Sequence, residues 1–158
     1  MPEFLDWLES SFIAVYIRQS LWLYPVLEII HILGIVLLVG AAFMFDLRLL
    51  GFSKKLPVTG MARHLLPWSQ RGLIFIFPSG LLLFITNAKA LGYDPVFWLK
   101  MILLLVAGLN VLVFHKLIFV RYVDLKIPEN LPFAAKVCAV ISIMVWIAVI
   151  ACGRLLAY

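Results

Sequence analysis

Long apolar runs of this chain are interrupted at a few positions by groups that can do chemistry. In LEIIHILGIVLLVG, residues 27–40, Glu28 and His31 stand three positions apart. At about 100° per residue that spacing puts them roughly 60° apart on one helical face. A carboxylate beside an imidazole is suited to handling a proton or orienting a ligand. Two long-stemmed cations, Lys100 and Arg154, interrupt later apolar runs. A second group contains His64, Arg71 and His115, with Asp46 and Arg48 closing the first run.

Other chemistries lack their residues. No H-x-x-x-H or C-x-x-C pair offers a zinc site, and no phosphate loop, nucleophile elbow or dinucleotide fingerprint is present. If one metal ion is bound, His31 and His115 are its ligand candidates. Cys138 and Cys152 are 14 positions apart in one apolar run. On a helix that is about 21 Å, so they cannot pair within the chain.

Elements that could hold these groups follow from composition. The chain has 158 residues, 65% hydrophobic and 13% charged, with a mean hydropathy of +1.12. It cannot cover itself with polar surface, so lipid must be its solvent. Four stretches are long and apolar enough to cross a bilayer, at about 21–47, 65–88, 96–120 and 134–157. Backbone satisfaction in lipid makes each a helix. Ahead of them, residues 3–18 space Phe4, Leu8, Phe12 and Val15 by three and four, which predicts one amphipathic helix lying in the interface. Ser20 is placed to cap the first span. The expected fold is an all-α membrane protein, an up-and-down four-helix transmembrane bundle after an interfacial helix, in a single domain. The acidic opening MPEFLDWLESS does not read as a cleaved signal peptide.

The net charge of +5 comes from 13 basic and 8 acidic residues dispersed among the span ends. No basic tract points to nucleic acid, and the cations read as topology signals and headgroup contacts. Arg48, Lys54, Lys55 and Arg63 lie between spans 1 and 2, and Lys116, Arg121, Lys126 and Lys136 between spans 3 and 4. The positive-inside rule puts these loops in the cytoplasm and both termini outside. The expectation is a multi-pass protein of a bacterial inner membrane. Its partners are the bilayer and either a second copy or another membrane subunit.

Depth and helical phase then test convergence. At about 1.5 Å per residue, Glu28 lies roughly 10 Å and His31 roughly 15 Å below the outer surface, with Lys100 and Arg154 about 5 to 8 Å down. Ser79 and Thr86 on the second span bracket that level, and His64, Arg71, Phe75, Pro78, Ser79 and Thr86 fall on one broad face of it. Ionisable residues in spans usually face a bundle interior and mark function. The expectation is a polar pocket in the outer half, built from Glu28, His31, Lys100 and Arg154. Each residue also has a structural reading: His31 as a neutral core histidine, Glu28 in an ion pair with a cation, and the inner group as interfacial residues and ion pairs.

A planar cofactor between helices needs an axial ligand, clearance and cations, which His31, Gly34, Lys100 and Arg154 could supply for haem b. Several short motifs bear on this: His31, Gly34 and Gly40 followed by DLRLLG; Arg71 with six residues between it and Pro78, Ser79 and Gly80; and FWLK entering the third span, with His115 at its end. Together they resemble a family of small bacterial four-helix membrane proteins without assigned function. More distantly they resemble the copper-resistance CopD and HemJ-type protoporphyrinogen oxidase families. The HemJ resemblance implies haem binding and oxidation through a first-span histidine and a third-span lysine, which correspond to His31 and Lys100. The N-terminal amphipathic helix and Glu28 depart from that pattern. The functions left open are a haem b redox protein, a porphyrinogen oxidase, and a cofactor-free subunit or small copper- or proton-linked transporter.

Overall fold

A computed structural model describes residues 2–52, 55–119 and 132–156. The expected loop cations Lys54, Arg121 and Lys126, and the proposed span ends at 120 and 157, lie outside the described residues. Among those described, all regular structure is helical, and four helices are long and apolar enough to cross a membrane. They are α3 (Leu23–Leu49), α4 (Val58–Thr86), α6 (Pro95–Val113, continued by a π-helical turn at Phe114–Phe119) and α7 (Phe133–Leu155). Shorter helices α1 (Pro2–Glu9), α2 (Phe12–Gln19) and α5 (Ala88–Tyr93) gather at one end of the bundle, the capped end.

Local chemistry sets the helix limits. Asp94 accepts from the Val96 N–H at 2.7 Å and Pro95 opens α6, the residue types that favour a helix start. Ser20 Oγ accepts from the Leu23 N–H at 3.3 Å. Helix α4 begins at Val58, ahead of the apolar run that marks the span, because a helix continues past the lipid wherever water or neighbours satisfy its backbone.

The single N-terminal helix expected over 3–18 is two helices. Ser10 Oγ donates to the Trp7 carbonyl at 3.1 Å, and Ser11 caps α2 by accepting from the Ala14 N–H. Adjacent serines thus offer the backbone partners outside a continuous helix. Leu5, Ala14 and Ile17 are buried against the rest of the fold, whereas Phe4, Trp7, Phe12 and Tyr16 are exposed. These aromatics stack in pairs, Phe4 on Trp7 and Phe12 on Tyr16, with centroids 6.0 and 6.1 Å apart. Such an outer face suits the boundary between water and acyl chains.

Polar bonds clamp this cap to the corner between α4 and α5. Arg18 donates to the Thr86 carbonyl at 2.9 Å and pairs with Glu9 at 3.2 Å. Glu9 Oε2 accepts from the Lys89 N–H at 3.0 Å, and the Lys89 ammonium meets Asp6 at 2.6 Å. That hydrogen bond and the Asp6 charge push the pKa of Lys89 above its usual value. Arg18 and Lys89 therefore fasten the cap to the bundle.

Helix α3 packs on α4 and α7, and α6 packs on α7 rather than along α4. Helices α4 and α6 meet at Phe84 and Phe97, whose rings stack 5.2 Å apart. The architecture is the expected all-α four-helix bundle, within which consecutive spans are not uniformly adjacent. The α3–α4 contact is close because both helices are bare at their crossing. A Cβ on Gly72 would stand 2.7 Å from the Gly34 carbonyl oxygen and 2.8 Å from the Leu38 nitrogen. Small residues of this kind replace the hydrophobic driving force that lipid removes. Apolar clusters fill the middle of the bundle around Leu38, Ala107 and Trp146, and the end opposite the cap around Phe45, Leu49, Phe114 and Ala135. His31 of α3 and Lys100 of α6 lie nearer the cap.

Candidate functional site

His31 is half-buried where α3 faces α4. Its Nδ1 lies 3.0 Å from Ser79 Oγ, and the Ser79 hydroxyl donates to the Phe75 carbonyl at 2.5 Å, with the Ile76 carbonyl at 3.3 Å. A hydroxyl has one proton. Directed at the α4 carbonyls, it leaves Ser79 Oγ to accept, so Nδ1 carries the imidazole proton and Nε2 keeps its lone pair. No described residue is hydrogen-bonded to Nε2.

The sequence of α4 explains this setting. Gly72, Ser79 and Thr86, seven positions apart, are buried as a stripe of small residues turned inward. Pro78 supplies no N–H to the carbonyl four residues earlier, and Ser79 bonds back to its own helix. Gly80 lets the imidazole approach α4 closely, since a Cβ there would stand 3.0 Å from His31 Cε1.

Lys100 enters from α6. It is half-buried, exerts an electrostatic effect on His31 and Cys152, and has its Nζ 3.8 Å from where a Cβ on Gly153 of α7 would sit. Among the described residues it has no hydrogen-bond or ion-pair partner. A ligand-competent imidazole nitrogen and an unpaired ammonium therefore share the capped half of the bundle. Together they could hold a group that takes one axial nitrogen and presents negative charge.

Other expected site residues are placed differently. Glu28 is exposed and does not share the inward face of His31; the α3 face turned to α4 runs through His31, Gly34 and Leu38, and Glu28 falls off its edge, within electrostatic reach of Tyr24. Arg154 is exposed on α7, next in sequence to Gly153. His64 and Arg71 are exposed on α4, with the Arg71 guanidinium 4.7 Å from the Trp68 ring centre. The broad polar face expected for α4 is narrower, because Gly72, Ser79 and Thr86 form its buried part while Phe75 and Pro78 are exposed.

His115 lies in the π-helical turn, edge-on to Phe114 and Phe119. Phe114 packs against Phe45, which is 14 positions beyond His31 on α3. At 1.5 Å per residue this is about 21 Å, so His31 and His115 do not serve one metal ion or one haem. Among the described residues no group of three or more His, Cys, Asp or Glu could hold a metal.

Asp46 and Arg48, which close the first span in the sequence, take different partners. Arg48 Nε donates to the Leu56 carbonyl at 2.6 Å, while Asp46 is buried beside Ser142 of α7. Helical phase contained the signal, since Asp46 follows Leu38 and Ala42 at intervals of four along the inward stripe.

Neither the curated proteins nor the solved structures contain a match to this chain. The narrower resemblance to the CopD and HemJ families therefore gains no support. Residues 4–158 match DUF6644, a family of unknown function, and the chain belongs to that family.

Proposed function

We propose that this membrane protein binds haem b in the capped half of its bundle and serves redox chemistry there. The observation that carries the reading is the His31–Ser79 contact, which holds Nδ1–H toward α4 and leaves Nε2 unprotonated. Metal-ligating histidines are usually oriented in this way, through a hydrogen bond from the second ring nitrogen. His31 Nε2 would ligate the iron, and Lys100, joined by Arg154 at the same level of α7, would meet the propionates. Bound haem supplies one-electron chemistry whose potential follows from its axial ligand and its burial. In this reading loop charge puts the pocket on the outer side of the membrane.

The test is the visible spectrum of the detergent-purified protein after expression with abundant haem. A Soret band is expected in the wild type and not in His31→Ala, with weaker haem retention in Lys100→Met. A colourless wild-type protein overturns the reading. A colourless protein whose stability follows a co-purifying chain or ion would instead fit a membrane subunit or a small transporter.

A further inference from the structure

Asp46 is the most deeply buried carboxylate among the described residues, at 6% exposure. It lies 15 positions beyond His31 on α3, about 22 Å toward the end opposite the cap. Its Oδ2 has no hydrogen-bond partner among the described residues. The Ser142 hydroxyl of α7, itself buried, lies beside the carboxyl group and is the polar side chain placed to donate to it. The Cys138 thiol, one turn earlier on α7, lies within electrostatic reach of it. The Cys138 carbonyl is already engaged by Asn110 of α6, whose Nδ2 donates to it at 3.0 Å.

No described cation answers this carboxylate. On its own helix, Arg48 is directed to the Leu56 carbonyl. Arg63 and His64 on α4, Lys116 on the π-helical turn and Lys136 on α7 are exposed, and His115 sits between aromatic rings. The remaining neighbours are apolar, with Phe45, Leu49, Phe114 and Ala139 in the adjoining cluster. A buried charge with neither counter-charge nor full hydrogen bonding is strongly disfavoured, and in a membrane span such a residue usually lies on an ion or proton path. An oxygen that the protein leaves open is where the neutralising species would sit. With one carboxylate and one hydroxyl, the site balances a single positive charge.

We propose that Asp46 and Ser142 form an intramembrane site for one small monovalent cation, a proton or a sodium ion. The site is separate from the His31 pocket and does not depend on its occupant.

The experiment uses the full chain in detergent. Infrared difference spectra across a pH titration follow the carbonyl stretch of a protonated carboxyl group. Thermal unfolding in sodium chloride, against choline chloride at equal ionic strength, reads sodium. A proton site gives a titrating carboxyl band that is absent from Asp46→Asn. A sodium site gives a saturable sodium-dependent rise in Tm that Asp46→Asn abolishes. Ser142→Ala, which keeps the carboxylate, moves the titration midpoint by about one pH unit or weakens sodium binding about tenfold. The proposal is overturned if wild type and Asp46→Asn share the same infrared spectra and the same sodium response. Should Asp46→Asn not fold, unchanged midpoints in Ser142→Ala overturn it.

Discussion

His31 Nδ1 and Ser79 Oγ are 3.0 Å apart across the α3–α4 contact, with the serine proton directed to the α4 carbonyls. One hydroxyl thus decides which ring nitrogen of a membrane-embedded histidine remains open. Ser79→Ala removes that control, leaving the ring free to rotate and change tautomer. If His31 ligates haem, the variant keeps a Soret band but loses about 10- to 100-fold in haem affinity, the usual effect of removing a ligand's orienting partner. Haem titration of the apoprotein checks this, and an unchanged affinity would show that Ser79 does not position the ligand.

Four glycines, Gly72, Gly80, Gly40 and Gly108, form a graded series of packing tests. Gly72→Ala drives a Cβ into backbone atoms of Gly34 and Leu38, which cannot swing aside. It is expected to cost about 1 to 3 kcal/mol, the range for overpacking. Gly80→Ala meets the His31 ring edge, which can move, so its effect falls on ligand affinity more than on stability. At Gly40 and Gly108 an added Cβ would meet nothing within 4 Å, and alanine there is neutral or slightly stabilising, by up to about 1 kcal/mol. Thermal unfolding in detergent ranks the four.

Arg18 joins α2 to the final carbonyl of α4 while pairing with Glu9 of α1. Arg18→Met should lower stability by about 1 to 2 kcal/mol, as expected for a partly buried charged hydrogen bond. It should also release the cap first. Proteolysis within residues 2–19 should accelerate while the four spans remain resistant, a difference that mass spectrometry of the fragments resolves.

The Lys89–Asp6 contact gives cap docking a pH dependence of known sign. Lys89 has a raised pKa in the folded protein. Its contribution is therefore fully present below the usual lysine value of about 10.5, and is lost as pH rises through the higher folded value. Amide exchange in α1 should accelerate over that alkaline range in the wild type. In Lys89→Met the same step should be missing, and a step of equal size in both proteins would exclude the pair as its cause.

His115→Ala should leave any His31-dependent spectrum unchanged, because the two rings lie about 21 Å apart along the bundle. A spectral shift in this variant would place a second chromophore near the π-helical turn.

Composition and hydropathy by themselves determined that this chain lives in lipid and crosses it with four helices, since 65% hydrophobic content and four long apolar runs leave no other way to satisfy the backbone. His31, Lys100 and Ser79 were also legible as polar interruptions in one half of the expected bundle. Helical phase read on one helix could not say which neighbour each face would meet. Only the tertiary structure turned Glu28 outward and split the N-terminal helix at Ser10 and Ser11. It also buried Asp46 beside Ser142 of α7. Depth follows from counting along one helix, but a partner depends on how four helices are arranged, and here that arrangement rests on small residues such as Gly34 and Gly72, whose role is to let two backbones meet.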